Sequence, residues 1–199
     1  MDNPVRTSLH FARIEQRRQA LRETFATLFA TRTEFVWEIG CGHGHFLTAY
    51  AGVYPDRLCI GIDIEEDRIA RAERKCRRAG LPGLHFIHAD ARDFMAALPD
   101  AARFSAIYVL FPDPWPKKRH HKHRLMQPPL IAEIAARALP GARLYFRTDY
   151  QPYFDQVRAA FTVSPAWALS DEPWQFEVTT VFQARAPRFF SLVAAHQKL

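Results

Sequence analysis

The chain has 199 residues, 48% of them apolar and 24% charged, and Lys and Arg exceed Asp and Glu by six. That composition is globular and excludes a disordered or fibrous chain. No apolar run reaches the ~18 residues of a membrane span, and the first ten residues lack the apolar stretch of a secretory signal, so a cytoplasmic location is expected.

Residues 8–30 read as a helical arm with an approximate apolar stripe of Leu9, Ile14, Leu21, Phe25, Leu28 and Phe29. Its arginines Arg13, Arg17, Arg18 and Arg22 are expected on a solvated face, with a phosphate-contacting arm as the alternative. Strands and helices then alternate. Residues 34–39 predict a strand, 45–53 a helix, 57–62 a strand, 66–79 a helix ending at Gly80, 84–88 a strand and 91–97 a short helix. The pattern continues with a strand over 104–110, a helix over 125–138, a strand over 142–147 and a helix over 153–161. Beyond Phe161, 176–182 and 189–193 suggest antiparallel strands at one edge. Apolar strands flanked by amphipathic helices imply a mostly parallel sheet covered on both faces. The expected fold is α/β, doubly wound and Rossmann-like, with an antiparallel C-terminal edge. With no repeat or long linker, 1–199 reads as a single domain carrying an N-terminal arm over 1–30.

The first strand runs into Glu38-Ile39-Gly40-Cys41-Gly42-His43-Gly44. Glycines permit a sharp turn and close approach of a ligand, and the following helix points its free N–H groups at an anionic group. The G-x-G-x-G spacing differs from the G-x-G-x-x-G of dinucleotide sites. Asp63 lies 19 residues after Gly44, near the spacing of a ribose-binding acid, and capping of the next helix is its structural alternative. Asp90, at the end of the third strand, stands where an adenine amine would be received. Glu38 at the loop entrance suits an amino acid's ammonium better than a polyphosphate. An amino acid, a ribose and an adenine together describe S-adenosyl-L-methionine, which fits Glu38, Gly40, Gly42, Gly44, Asp63 and Asp90 better than NAD does. Cys41, Cys59 and Cys76 form no C-x-x-C pair, so neither a disulfide framework nor a Cys-based metal site is expected. Cys41 reads as a small residue in a tight turn, with a reactive thiol as the alternative.

The fourth strand ends in Phe111-Pro112-Asp113-Pro114-Trp115-Pro116, followed by Lys-Lys-Arg-His-His-Lys-His-Arg over 117–124. Open α/β sheets place their sites beyond the carboxyl ends of strands. Three prolines in five residues fix the backbone there, with Asp113 the sole acid. Trp115 reads either as a base-stacking ring or as core. Five of the eight residues in 117–124 are permanent cations, and without them the rest of the chain carries only +1. A polyanion-binding strip therefore adjoins the loop. The His cluster lacks carboxylate and Cys partners, which argues against a metal there.

The proline loop with its basic run closely resembles the signature of the bacterial tRNA (guanine-N7-)-methyltransferases. The glycine loop, the Gly61-Ile62-Asp63 strand end and Thr148-Asp149 resemble further motifs of that family. The resemblance covers roughly 34–160. It implies a class I S-adenosylmethionine-dependent methyltransferase forming N7-methylguanine in tRNA, a monomer or homodimer with no DNA or membrane partner. It implies that Asp113 is catalytic as well as cofactor-binding, and that Lys117 and Asp149 meet the guanine. The family's C-terminal substrate motif, Thr-x-(Phe/Tyr)-Glu before a basic residue, is matched by Thr180-Val181-Phe182-Gln183-Ala184-Arg185. Thr180 and Gln183 are thereby substrate-binding, with Gln183 in place of the usual Glu. That departure keeps open another RNA base or a small molecule as substrate, or a non-catalytic RNA-binding relative.

Overall fold

In a computed structural model of the chain, residues 4–186 and 188–197 are described, with the backbone alone for residues 4–8, 10 and 181. The first three residues of the expected arm lie outside them. Helix α1 (Pro4–Leu28) turns Leu21 and Phe25 into the core, where the Phe25 ring meets the edge of Phe94 at 5.0 Å. Leu9, nearer the start of the expected stripe, stays exposed. Two of the arm's arginines are not on a free solvated face. Arg17 and Arg18 each bond the buried carboxylate of Asp93, at 3.0 and 2.9 Å, and so pin α1 to the short helix over Ala91–Ala97.

Seven strands form one sheet in the order β3-β2-β1-β4-β5-β7-β6. They are β1 (Glu34–Ile39), β2 (Cys59–Asp63), β3 (Leu84–His88), β4 (Arg103–Leu110), β5 (Ala138–Thr148), β6 (Trp167–Ser170) and β7 (Phe190–His196). Strands β1 to β5 pair in parallel, whereas β7 pairs antiparallel with β5 and β6. The expected sheet with an antiparallel C-terminal edge is what forms. Alternation along the strands supplies an apolar layer to each face. On one face Trp37 stacks against Phe94 and Phe104 at 4.8 and 5.0 Å. On the other Tyr108 stacks on Tyr145 at 4.6 Å. Burying each such ring contributes about 2–3 kcal/mol. Helices α2 (His45–Val53), α3 (Glu66–Ala79), α4 (Ala91–Ala97) and α6 (Gln151–Thr162) cover the sheet. No helix among the described residues is long and apolar enough to cross a membrane.

Three expectations are corrected. Helix α5 spans Pro128–Ala135 rather than 125–138, with proline at its first positions. Prolines lack the N–H that a helix interior needs and so can only begin one. Upstream, Met126 N–H is taken by the Tyr153 hydroxyl at 2.8 Å, and 118–123 wind into a short 3-10 helix. Strand β5 starts at Ala138, opposite Phe104, before a register shift that brings Arg143 opposite Ala106. The tail differs most. The expected strand at 189–193 forms as β7, with β6 outside it at the edge, whereas 176–180 are irregular and Val181–Arg185 form helix α7. Thr180 caps α7, its hydroxyl accepting the Gln183 N–H at 3.1 Å. The aromatic spacing in 174–178 reflects separate anchors on the sheet, since Trp174, Phe176 and Val178 pack on the second apolar layer.

Candidate functional site

The order in which strands are added reverses between β1 and β4, which lie side by side and parallel at the middle of the sheet. Such a switch point opens a crevice beyond the carboxyl ends of the strands. Onto it come the turn after β1, the ends of β2 and β3, the proline loop after β4 and Thr148-Asp149 after β5.

The turn after β1 is built from backbone. Gly40, Gly42 and Gly44 have φ of 78°, 53° and 67°, a left-handed conformation that side chains resist. Gly40 and Cys41 N–H both reach the Ile62 carbonyl at 2.8 Å. Gly42 N–H donates to Asp63 Oδ2 at 2.9 Å, and Lys75 Nζ donates to the His43 carbonyl at 2.8 Å. A Cβ on Gly44 would stand 2.5 Å from the Phe86 ring and 2.8 Å from Ala72 Cβ. The third glycine is therefore demanded by packing as well as by φ.

Glu38 sits beneath this turn, only 2% exposed. Its carboxylate faces the first turn of α2, where it accepts the Leu47 N–H. Its Oε2 is buried without a partner. Burial, opposed by the Leu47 bond and raised further by Asp63, pushes its pKa from 4.5 to about 8. An unpartnered buried carboxyl oxygen beside a glycine turn and a helix N-terminus fits the ammonium and carboxylate of an amino acid. Asp63 is likewise buried. Its Oδ1 accepts the Glu65 N–H at 2.9 Å, and Arg68 stands 3.6 Å from Oδ2. Both of its oxygens already hold the turn, so a ribose could use only their remaining lone pairs. Asp90 is exposed and caps α4, with Oδ1 accepting Arg92 N–H at 2.8 Å. Burial raises the Cys41 thiol well above its ordinary range, with Glu38 and Asp63 adding to the shift. The thiol is buried in the turn, which favours the small-residue reading over a reactive thiol.

The proline loop is anchored differently. Phe111 and Trp115 have φ of 51° and 43° without being glycine, each costing about 1–2 kcal/mol. The strain is held by Arg124, the last residue of the basic run, which is 2% exposed. Its Nε donates to the Pro114 carbonyl at 2.8 Å, Nη1 to Gln156 Oε1 at 2.5 Å, and Nη2 lies 3.0 Å from His121 Nε2. One of the five cations is thus structural. Lys117, Lys118, Arg119 and Lys122 remain exposed, as does Asp113. Trp115 is neither core nor a free platform. It is 37% exposed and packs against the His120 and His123 rings at 5.8 and 5.3 Å.

Residues 174–191 carry the third wall. Arg147, at the end of β5, is buried against the rings of Trp174 and Phe189, 4.0 and 4.6 Å from their centroids. It donates to Ser191 Oγ at 2.8 Å, to Gln183 Oε1 at 3.0 Å and to the Glu177 carboxylate. Beside Gln183, the Phe182 ring comes within 4.0 Å of the Cβ position of Gly42. The C-terminal segment therefore reaches the glycine turn. Asp149 is exposed. Arg124 and Phe182 were read only as members of the basic run and of the C-terminal motif, and Lys75 and Arg147 were given no role from the sequence. The one available signal was for Arg147, a cation ending the otherwise apolar Leu144-Tyr145-Phe146.

A sequence model of the protein family described as "Putative methyltransferase" matches residues 32–186. Among curated proteins, the tRNA (guanine-N(7)-)-methyltransferase of Caulobacter sp. (strain K31) is 35% identical over 204 residues, covering 90% of each chain. The protein of the same description from Caulobacter vibrioides (strain NA1000 / CB15N) is 34% identical over 80% of this chain and 76% of its own. Among solved structures, a methyltransferase from Pyrococcus furiosus superposes with a TM-score of 0.61 at 15% identity, over 89% of this chain and 82% of that one. An rRNA methylase from Streptococcus thermophilus gives 0.56 at 13% identity, over 100% and 99%. At those identities the likeness speaks to the fold alone.

Proposed function

The chain belongs to the tRNA (guanine-N7-)-methyltransferase family, and from that premise we propose that it transfers the methyl group of S-adenosyl-L-methionine to N7 of a guanine in tRNA, as one methyltransferase domain acting in the cytoplasm. The observation that carries the cofactor half is the buried, unpartnered Oε2 of Glu38 under a turn of three left-handed glycines. Glu38 and the turn receive the amino-acid end, Asp63 the ribose and Asp90 the adenine amine.

The cofactor supplies an electrophilic methyl on a positively charged sulfur. Guanine N7 carries a lone pair and no proton, so no general base is required. What the protein must do is hold the nitrogen in line with the methyl–sulfur bond and exclude water. Held by Glu38, the glycine turn, Asp63 and Asp90, the group would supply that methyl to N7, and the transfer would leave a neutral thioether behind and the positive charge on the purine. Asp113 and Asp149 stand on the ends of adjacent strands, where carboxylates stabilise that charge and accept from the guanine N–H groups. The Pro-Asp-Pro backbone, fixed by Arg124, keeps Asp113 in place. Lys117 meets the guanine with Asp149, and the exposed cations after it take phosphates, which makes binding steeply salt-dependent. Because N7 faces a deep groove in folded RNA, the base is presented from a loop or splayed out.

The test is transfer of a labelled methyl group to a panel of unmodified tRNA transcripts, an rRNA fragment and a DNA duplex. Label entering tRNA alone is the expected result. Label entering only the other acceptors, or none despite cofactor binding, overturns the proposal.

A further inference from the structure

Arg124 is buried, and a guanidinium has donors to place and no way to accept. Its Nε goes to the Pro114 carbonyl, its Nη1 to Gln156, and its Nη2 meets His121 Nε2 at 3.0 Å. That last contact is a hydrogen bond only if Nε2 brings a lone pair. His121 is thereby fixed as the neutral ring with its proton on Nδ1. A protonated ring would set an N–H and a second positive charge against the guanidinium. The backbone of His121 cannot yield, because its carbonyl already accepts from the Arg124 N–H at 3.1 Å and from Gln127 Nε2 at 2.8 Å. No neighbour offsets such a charge. The cleft beside the ring is lined from α6 by Gln156, Ala159, Ala160 and Val163 and from the start of α5 by Gln127 and Pro128. No carboxylate is among the described residues that line it, and the charge next to His121 in its own turn is Lys122. On α6, Asp155 stands by Arg158 at 4.0 Å. Under the guanidinium lie the rings of Tyr150 and Tyr153, at 5.8 and 5.0 Å, and burial pushes the Tyr153 hydroxyl up to about 12, so it supplies no anion. The acid of the proline loop, Asp113, is exposed.

We propose that His121 is a positioning residue: its neutral ring lends Arg124 the acceptor that keeps the guanidinium on the Pro114 carbonyl, so the proline loop and Asp113 hold their place only while His121 carries no proton. Pro114 lies between Asp113 and Trp115, whose φ of 43° is strained, so a guanidinium pushed off that carbonyl frees the loop where Asp113 stands. The effect on turnover rests on the guanine-N7 reading, whereas the clamp itself does not. The sign separates this role from a phosphate contact. A His121 that met phosphate would bind tRNA better when protonated, and a lysine would serve in its place.

The test compares the wild type, His121→Gln and His121→Lys at about pH 7.5 and about pH 5.5, a span across which imidazoles ordinarily change charge. Glutamine carries an acceptor oxygen that acid in this span does not remove, and lysine is a cation with no acceptor. Methyl transfer to a tRNA transcript is followed at saturating cofactor, so that kcat and KM for tRNA are read separately. Hydrogen exchange is read at the amides of Phe111, His120 and Arg124, which donate to the carbonyls of Arg147, Lys117 and His121, after correction for the intrinsic pH dependence of exchange. Wild-type kcat should fall about tenfold at the lower pH, and protection should fall with it. His121→Gln should match wild-type kcat at the higher pH, lose no more than about twofold on acidification, and keep its protection at both. His121→Lys should show the acid values of kcat and protection at both pH values. An acid fall in kcat as steep in His121→Gln as in the wild type overturns the role. So does a His121→Lys as active as the wild type at the higher pH, with or without a lower KM for tRNA. If the wild type forms no N7-methylguanosine at either pH, the guanine-N7 reading fails and the exchange data still decide the clamp. Wild-type protection that ignores pH, or protection that survives His121→Lys, overturns it.

Discussion

The glycine turn and the proline loop close neighbouring strands of one sheet, yet different forces hold them. The turn after β1 is shaped by what its residues lack. Three glycines accept left-handed φ, and Gly44 leaves room for Phe86. Its bonds run mostly to backbone one strand away, at Ile62, and to the side chain of Asp63. The proline loop and the segment 174–191 are instead held by two buried guanidiniums, Arg124 and Arg147, each spanning 30 residues or more of sequence. A methyl donor common to many reactions can be met by a local motif. A particular base has to be met by parts of the chain far apart in sequence, and a forked, always-charged donor suits that task.

The sharpest way to break this contrast is at Gly44. Gly44→Ala drives a Cβ into Phe86 and strains φ, and is expected to cost about 2–4 kcal/mol of stability and most of the cofactor affinity. Gly40→Ala meets no atom within 4 Å and should cost only about 1 kcal/mol. Thermal unfolding and calorimetric titration of the two variants give the comparison. Equal losses would mean that packing does not distinguish the glycines.

Asp113→Ala probes the other loop. Turnover should fall about a hundredfold or more with cofactor affinity little changed. Parallel losses in kcat and in affinity would make Asp113 a cofactor ligand only. Arg124→Met should follow. It leaves the Pro114 carbonyl and Gln156 without their donor, a loss of about 2–3 kcal/mol, and lets the strained loop relax. Its kcat should drop further than that of a surface variant matched in melting temperature.

The pattern of loops says how much of this was readable beforehand. Strand and helix bounds were legible wherever hydrophobic period and punctuation agreed. The elements at 34–39, 45–53, 66–79, 84–88 and 91–97 form with those bounds. The glycine turn was legible because its constraint is local. The tail was not. Alternating Trp174, Phe176 and Val178 look like a strand, but Trp174 packs on Tyr108 and Tyr145 while Phe176 packs on Phe46 and Tyr50, and the strand-forming edge went to 167–170. Nor could the 117–124 run announce that its last arginine is buried while its lysines are exposed. That depends on Gln156, which reaches it from another helix. Long-range side-chain bonds leave no period in a sequence.

A pH-dependent effect concerns Glu38. It keeps its proton in the folded chain up to about pH 8 but releases it near 4.5 when unfolded. Its contribution to stability is therefore full below about 4.5 and is lost as pH rises from there through 8. Glu38→Gln should be more stable than the wild type at pH 8.5, with the gap closing toward pH 4.5. Wild-type cofactor affinity should rise over the same climb, because the ionised carboxylate is what meets an ammonium, and the variant should lose that rise. Denaturant titrations and binding isotherms across pH read both, and a flat stability difference would contradict the assignment. The smallest effect belongs to the exposed cations. Lys118→Ala should raise KM for tRNA a few-fold and reduce the slope of log affinity against log salt by about one. An unchanged slope would remove Lys118 from the phosphate contacts.

All of these rest on one reaction, so the product itself is the direct test. A tRNA transcript incubated with the protein and S-adenosyl-L-methionine, then digested to nucleosides and examined by mass spectrometry, should yield N7-methylguanosine, with about a hundredfold less or lower still from the Asp113→Ala reaction at matched time. A different methylated nucleoside, or N7-methylguanosine formed equally well by the variant, would contradict the account.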